Sequence, residues 1–265
     1  MLTLKIIVCI KQVPATSNVE IDSTTGVLKR EGAESKMNPY DLYAMETALR
    51  LKEKMGGSLV TVTMGPLQAE KVIKESFILG ADEGYILSDR KFAGADVLAT
   101  AYTLSQGIRL VGAFDLIICG KQTTDGDTAQ VGPEVAEFLG IPHVTWVRAI
   151  REVSAEGIVV EQDLGTTAVT LALKFPALIT VEKEIFQPRL PSYRRKLATT
   201  GKQAKIFGFS DFADPDEQKY GLHGSATQVE RIFPPTTNKD RIIWDDDAPV
   251  STEKICALFR DKKFI

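Results

Sequence analysis

The sequence predicts an α/β protein in which a parallel sheet is covered by helices on both faces. Apolar, β-branched runs of strand length alternate with segments whose apolar residues follow helical spacing. The strand runs are apolar at nearly every position, which is typical of strands buried on both faces. Glycine and proline stand where the pattern changes, so most runs have a defined end.

The first half of the chain carries most of this alternation. Residues 5–10 form the first predicted strand, and Asn38-Pro39 opens the first helix. We expect Asn38 to cap the free amides and Pro39 to suit the first turn. Gly56-Gly57 ends this helix. Strands and helices then alternate over residues 58–64, 69–79, 84–87, 96–110, 115–119 and 132–139.

After about residue 142 no helices separate the predicted strands, which cover residues 144–147, 158–161, 169–173 and 177–181. They add an antiparallel hairpin and a further strand to the same sheet. From Phe186 onward prolines interrupt a polar stretch, and residues 252–259 predict a terminal helix. We therefore predict a Rossmann-like domain over residues 1–185 and an extended C-terminal arm within residues 186–265.

The last part of the chain has too little core to fold alone. It is either a disordered tail or an arm that packs on another subunit. Its retained apolar groups favour the arm, and they are Phe207, Phe209, Phe212, Ile232, Phe233, Ile242, Ile243 and Trp244.

Composition limits the class of function. The 265 residues carry a net charge of −3, which argues against a basic face for nucleic acid. No apolar run approaches the roughly 20 residues of a membrane helix, and the apolar N-terminus predicts a strand rather than a signal peptide. The three cysteines are far apart and the two histidines isolated. They indicate a cytoplasmic protein with core thiols and no metal site.

Ligands of a parallel sheet bind beyond the carboxyl ends of its strands. The most informative segment there is 120–133, a long polar loop that runs into a helix N-terminus. Free amides and the helix dipole suit a phosphate, and Thr124 and Thr128 add hydroxyls. Asp125 and Asp127 oppose a simple phosphate cradle. They either accept ribose hydroxyls or only brace the loop.

Catalytic patterns are missing from the sequence. It has no P-loop, no Gly-x-Gly-x-x-Gly turn and no nucleophile elbow. We expect Gly126 to allow a close approach of the loop to the ligand, or a positive φ. The scaffold alone favours a module that holds a nucleotide-like cofactor. A stand-alone nucleotide-binding regulator and a nucleotide hydrolase are the competing hypotheses.

Several motifs occur together and in order over nearly the whole chain. They begin with residues 5–14, 37–41 and 64–66, and the most specific is Gly120-Lys121-Gln122 followed by Asp125-Gly126-Asp127-Thr128-Ala129-Gln130-Val131-Gly132-Pro133. In this set the chain resembles the beta subunit of electron transfer flavoproteins.

The resemblance implies that the C-terminal arm packs on an alpha subunit, which holds most of the electron-transferring FAD. The beta subunit buries an adenine nucleotide, which is AMP in ordinary members and part of a second FAD in electron-bifurcating members. The matching binding positions are Cys9, Asn38, Pro39, Tyr40, Asp41, Met64, Thr123, Thr124, Asp125, Gly126, Asp127, Thr128, Ala129, Gln130, Val131, Gly132, Pro133 and Glu134.

Residues 38–44 and 125–134 look like the bifurcating group, and so does the segment 224–229. Such a member takes hydride from NADH and divides the electrons between ferredoxin and an acyl-CoA dehydrogenase or enoyl-CoA reductase. Ala226 departs from the common proline, and the segment is alternatively a plain turn. The resemblance places these residues near the second flavin: Gly224, Ser225, Thr227 and Gln228.

A partner-recognition loop is implied at about residues 184–205. Tyr193 takes the place where the family often has an aliphatic anchor, with Arg189 and Arg194 beside it. A buried anchor ringed by charge is a docking site; the alternative is a solvated basic loop. The segment 162–167 also departs from the family's acidic, glycine-rich turn.

Overall fold

The computed structural model describes residues 3–15, 35–230 and 241–265, which belong to two compact units, Met1–Glu230 and Arg231–Ile265. The elements of the first unit are β1 (Leu4–Cys9), β2 (Gln12–Pro14), β3 (Ser35–Met37), α1 (Pro39–Met55), β4 (Gly57–Met64), α2 (Glu70–Leu79), β5 (Glu83–Leu87), α3 (Val97–Val111), β6 (Leu116–Gly120), α4 (Val131–Leu139), β7 (His143–Val153), β8 (Gly157–Asp163), β9 (Ala168–Lys174), β10 (Ala177–Val181), α5 (Tyr193–Ala198) and β11 (Lys205–Phe207).

The described strands form a nine-stranded sheet in the order β11-β5-β4-β1-β6-β10-β7-β8-β9, and β2 pairs separately with β3. The neighbours from β11 to β7 are parallel, whereas β7, β8 and β9 are antiparallel. The predicted α/β class, with its parallel sheet and added hairpin, is confirmed. The sequence pattern does not predict the short elements β2, β3, α5 and β11, because segments of this length show no clear periodicity.

Helices cover both faces of the sheet. Alternate residues of β1 explain this: Leu4, Ile6 and Val8 lie in the core beneath α1 and α2, whereas Ile7 lies in the core beneath α3 and α4. The chain moves outward from β1 to β5 and then crosses back through α3 to β6. The switch point of this topology therefore lies between the carboxyl ends of β1 and β6, where α/β proteins bind ligands.

The segment after α5 belongs to the first unit. Strand β11 pairs with β5, and Phe207 and Phe209 pack against the core that contains Phe212. The Phe212 ring stacks on Phe92 at 5.3 Å, and Tyr220 is 1% exposed. These phenylalanines cover the α3 face of their own sheet, so they have a core to pack against within this chain. Packing of the arm on another subunit stays a prediction. The first unit also continues beyond the domain boundary predicted at residue 185.

The second unit contains α6 (Ala248–Asp261), with a proline in its first turn, where the sequence predicts a helix over residues 252–259. Ile242 and Ile243 are exposed. The predicted arm residues Ile232 and Phe233 lie outside the described residues. None of the helices in the described ranges has the length and apolar character needed to cross a bilayer.

Candidate functional site

A buried carboxyl group occupies the switch point. Asp41, in the first turn of α1, is 4% exposed. Its Oδ2 accepts a hydrogen bond from the Lys11 amide (2.7 Å), and its Oδ1 accepts one from Asn38 Nδ2 (2.9 Å). Burial raises the pKa of Asp41 to about 7, although hydrogen bonds from Asn38 and from the amides of Lys11 and Gly120 oppose the shift. Asp41 thus joins α1 to the ends of β1 and β6.

The end of β6 approaches α1 so closely that only glycine fits there. A Cβ atom on Gly120 would lie 2.5 Å from Asp41 Oδ1 and 2.7 Å from the carbonyl carbon of Tyr40. Both atoms are held, one by the hydrogen bonds of Asp41 and the other by the backbone of the helix. Gly120 therefore sets the distance between the loop after β6 and the α1 N-terminus.

Asn38 precedes α1, but its side chain makes no capping hydrogen bond. It reaches across to the loop after β6 instead, where Nδ2 donates to the Gln122 carbonyl (2.9 Å) and Oδ1 accepts from the Thr124 amide (3.2 Å). The predicted capping role is wrong because Asp41 and the loop occupy both ends of the side-chain amide. Asn38 fixes the start of the loop.

The two aspartates of the loop brace it. Asp125 forms an ion pair with Lys11, in which Nζ and Oδ2 are 2.8 Å apart. Asp127 Oδ1 accepts a hydrogen bond from Gln122 Nε2 (2.8 Å). These contacts support the alternative in which Asp125 and Asp127 brace the loop. Both contacts are exposed to solvent.

The backbone of the loop turns at residues other than its central glycine. Positive φ occurs at Asp127 (51°) and Ala129 (57°), not at Gly126. The positive φ expected at Gly126 is therefore wrong, since its neighbours adopt that conformation. A Cβ atom on Gly126 would meet Thr123 Oγ1 at 3.5 Å, an ordinary contact distance. The other expected role of Gly126, close approach to a ligand, stays a prediction.

The loop ends at the N-terminus of α4. A Cβ atom on Gly132 would lie 2.6 Å from Thr180 Cγ2, so glycine lets this first turn pack tightly on β10. Glu134 also lies in the first turn, and its Oε2 is buried without a hydrogen-bond partner among the described residues. Burial, followed by the charge of Asp96, raises the pKa of Glu134. Such an oxygen suits a hydroxyl or N–H group of a ligand.

Asp96 holds the distant segment 225–227 at the α3 N-terminus. Its Oδ1 accepts from the Ala99 amide, and its Oδ2 accepts from both the amide (2.8 Å) and the hydroxyl (3.0 Å) of Thr227. The Asp96 amide donates to Ser225 Oγ (2.9 Å). The start of α3 and this late segment are therefore joined by three hydrogen bonds, all of which involve Asp96.

The remaining predicted members of the late segment differ in their surroundings. A Cβ atom on Gly224 would lie 2.2 Å from the carbonyl carbon of Lys219, so glycine is required there by the chain's own turn. Gln228 is exposed. The close packing at Gly224 favours the plain-turn alternative for that residue, whereas the side chain of Gln228 is open to a ligand or a partner.

The structure brings together most residues predicted to bind a nucleotide. Cys9 ends β1, and Met64 ends the neighbouring β4. Residues 38–41 and the loop 123–134 meet at the same edge of the sheet, where Asn38 joins them. The carboxyl ends of parallel strands thus collect these separate motifs into one surface.

Lys11 and Asp96 contribute to this surface but are not among the predicted site residues. Lys11 lies just after β1, and its position in the chain is a usable signal, because ligands bind beyond strand ends. Asp96 gives no such signal, since its contacts with Ser225 and Thr227 arise only in the folded chain.

The predicted partner-recognition residues lie elsewhere. Arg189 donates from Nε to Glu46 (2.7 Å) and from Nη1 to Glu53 (2.6 Å), both on α1. Arg195 Nη1 donates to the Leu79 carbonyl at the C-terminus of α2, which lies at the opposite edge of the sheet from the strand carboxyl ends. Exposed apolar and basic side chains follow on this loop, and they are Leu190, Tyr193, Arg194, Lys196 and Leu197.

The fold and its polar edge define a class: a doubly wound α/β protein whose switch point suits a nucleotide phosphate. Residues 25–210 match the family model described as "Electron transfer flavoprotein domain". The chain therefore belongs to the electron transfer flavoprotein family. This family is flavin-associated, and its beta subunits normally pair with an alpha subunit.

Curated relatives agree with this family. The electron transfer flavoprotein subunit beta of Thermoanaerobacterium thermosaccharolyticum is 44% identical over 89% of this chain and 90% of its own length. The same subunit of Megasphaera elsdenii is 41% identical over 99% and 100% of the two chains. The caffeyl-CoA reductase-Etf complex subunit CarD of Acetobacterium woodii is 40% identical over 88% of each. The chain thus groups with the beta subunits.

Exchange of Gly120 for alanine tests the contact between β6 and α1. The new methyl group overlaps Asp41 and Tyr40, and overpacking of this kind costs about 1–3 kcal/mol. We expect Gly120→Ala to lower the free energy of unfolding by that amount in urea titrations. Gly126→Ala is the matched control, since its Cβ would meet only Thr123 Oγ1 at 3.5 Å. Equal stability of the two variants would contradict the close approach.

Asp41→Asn tests the buried carboxyl group. Its folded pKa of about 7 exceeds the ordinary 3.8, so the native state keeps a proton that the unfolded state releases. The resulting stabilisation is complete below about pH 4 and is lost as the pH rises through 7. We expect the unfolding free energy of the wild type, relative to the variant, to fall by up to about 4 kcal/mol between pH 4 and pH 8. A difference that does not change with pH would contradict the raised pKa.

Proposed function

We propose that this chain is the beta subunit of an electron-bifurcating flavoprotein that binds FAD at the switch point. In this proposal it acts with an alpha subunit in the cytoplasm. Electrons pass from NADH to ferredoxin and to an acyl-CoA dehydrogenase or enoyl-CoA reductase. The bound FAD supplies the redox chemistry, and the chain supplies position and electrostatics. The alternative is a non-bifurcating subunit that holds a structural AMP in the same place.

The observation that carries the proposal is the set of donors at the switch point. The N-terminus of α4 offers backbone amides and the positive end of a helix dipole. Lys11 adds a cation, and the loop threonines add hydroxyls. These groups fit a phosphate, and no nucleophile elbow competes with a binding role.

FAD extends beyond the AMP portion, so an FAD site needs protein groups that contact the additional part of the ligand. Asp96 lies close enough to Glu134 to raise its pKa, and Asp96 also holds Ser225 and Thr227. The late segment expected near the flavin thus lies near the first turn of α4. Glu134 Oε2, which has no hydrogen-bond partner within the described parts of the chain, suits a hydroxyl or N–H of a long ligand. This meeting of two distant segments favours FAD over AMP.

The name of one relative supports the proposed class of partner protein. CarD of Acetobacterium woodii is named as a subunit of a caffeyl-CoA reductase-Etf complex. A reductase of an unsaturated acyl-CoA is therefore the electron acceptor that we propose for the complex of this chain. NADH and ferredoxin enter the proposal through the resemblance of residues 38–44 and 125–134 to the bifurcating group.

The base of the recognition loop is fixed to α1. The ion pairs of Arg189 with Glu46 and Glu53 raise the pKa of Arg189 and occupy its guanidinium group. Arg189 is therefore a positioning residue for the loop in this proposal. It is not free to pair with a partner protein.

The exposed part of the loop carries the groups that we assign to docking. Leu190 is 88% exposed and Tyr193 is 73% exposed, and Arg194 is exposed beside them. Either apolar side chain is available as an anchor, with Leu190 the more prominent. An apolar anchor next to a cation suits a partner surface with an apolar pocket and an acidic rim.

Cofactor content of the purified alpha–beta complex tests the proposal. We expect two flavins per heterodimer from the visible spectrum and from nucleotide analysis after denaturation. The Gly120→Ala complex should keep the flavin of the alpha subunit and lose the second, because the loop after β6 is displaced. One flavin with AMP would support the non-bifurcating alternative. One flavin without any second nucleotide would contradict nucleotide binding by this chain.

Truncation of the exposed anchors tests docking. We expect Leu190→Ala and Tyr193→Ala each to weaken binding of the dehydrogenase by up to about 2 kcal/mol, since buried apolar anchors dominate interfaces. NADH-dependent flavin reduction should not change. Leu164→Ala is the control, because Leu164 is also exposed but lies in the turn after β8. Unchanged binding in both anchor variants would place the docking site elsewhere.

A further inference from the structure

We propose that Lys11 binds the phosphate of the adenine nucleotide and that Asp125 competes with this phosphate for Lys11. The inference rests on the proposed nucleotide function and adds a determinant of selectivity to the same site. It predicts that the site prefers phosphorylated ligands to a nucleoside, and that this preference depends on one lysine.

Lys11 stands at the switch point with a fixed backbone and an adaptable side chain. Its amide donates to the buried Asp41, which anchors the residue where β1 ends. Its Nζ lies 2.9 Å from Asp125 Oδ1 and 2.8 Å from Asp125 Oδ2. The side chains of the pair are 45% and 34% exposed. A flexible lysine in such a setting can exchange one anion for another without movement of the sheet.

Asp125 has the properties of a temporary partner. Partial burial acts to raise its pKa, but the hydrogen bond and charge of Lys11, with the Thr123 hydroxyl, outweigh burial and lower it. Asp125 is thus ionised at neutral pH. Exposed ion pairs are worth little, because water screens them. The terminal phosphate of AMP carries up to two negative charges, and the diphosphate of FAD carries one on each of its two phosphates. Either group is a stronger partner for an ammonium group than an exposed carboxylate.

The loop around Asp125 is held at both ends. Asn38 fixes Gln122 and Thr124 before it, and α4 begins at Val131 after it. Asp125 is therefore held in the segment that leads to the phosphate-binding helix end. A carboxylate in this place repels an incoming phosphate unless its charge is balanced, and Lys11 balances it. Transfer of Lys11 to the phosphate must then release Asp125 toward solvent.

Titration calorimetry of the alpha–beta complex, with the second nucleotide removed, tests the exchange. The probes are AMP, FAD and adenosine. We expect Asp125→Asn to lower the dissociation constants of AMP and FAD by about two- to five-fold, which is the range expected for loss of an exposed ion pair. Lys11→Met should raise both dissociation constants by at least about ten-fold, as expected when a hydrogen bond to a charged group is lost. Adenosine, which has no phosphate, should bind all variants equally.

The double variant separates competition from simple repulsion. If Asp125 acts by holding Lys11, the gain from Asp125→Asn should largely vanish in the Lys11→Met background. An equal or larger gain in that background would show direct repulsion and overturn the exchange. If Asp125→Asn weakens the binding of both AMP and adenosine, Asp125 contacts a ribose hydroxyl, which both ligands carry. That result would also overturn the proposed exchange.

A matched control is available in the same unit. Asp82 binds Lys52 through both oxygens, at 2.7 and 2.6 Å, near the C-terminal end of α2. Asp82→Asn should leave AMP affinity unchanged, and a gain like that of Asp125→Asn would overturn the assignment. If the wild type binds AMP, FAD and adenosine equally well, the exchange fails while the nucleotide site stands. If it binds none of them, the proposed function fails together with the exchange.

Discussion

The site depends on the burial of one carboxyl group. Asp41 lies where α1, β1 and β6 meet, and a polar group in that position destabilises the fold unless hydrogen bonds satisfy it. The Lys11 amide and the Asn38 side chain supply those bonds. The need to satisfy Asp41 thus fixes both strand ends relative to the helix, and Gly120 makes the approach possible.

The same network separates the rigid parts of the site from the adaptable ones. The Lys11 backbone, Asn38 and Gly120 are held by buried contacts, so they form a rigid base. The long side chain of Lys11 and the carboxylate of Asp125 extend from this base and are partly exposed. A rigid base lowers the cost of ordering on binding, and polar groups that can rearrange accommodate a charged phosphate.

The sequence predicts those parts of this arrangement that depend on residues close together in the chain. Periodicity and glycine positions are local, so they predict the main helices, the strands and the loop 123–134. The sequence assigns Asn38 to capping and, through the family resemblance, to nucleotide binding. It does not predict that Asn38 holds the loop, because the contact with Thr124 spans 86 residues. The sequence does not predict a role for Asp96, because its contacts are also distant in the chain. The aromatic segment 207–212 likewise has no partner nearby in the sequence, so it is predicted to be an arm. Burial of those rings depends on the α3 face, which no local pattern describes.

The late strand β11 has a consequence for biosynthesis. Its Lys205 lies beside Tyr85 of β5 across 120 residues of sequence, and Thr227 reaches Asp96 across 131. Contacts at such separation carry a loop-closure cost and form slowly. During translation the loop 123–134 leaves the ribosome long before the segment that completes its surroundings. The nascent chain therefore exposes the β5 edge and the apolar face of α3 until residues 205–220 emerge, and this interval is when a chaperone is most useful to it.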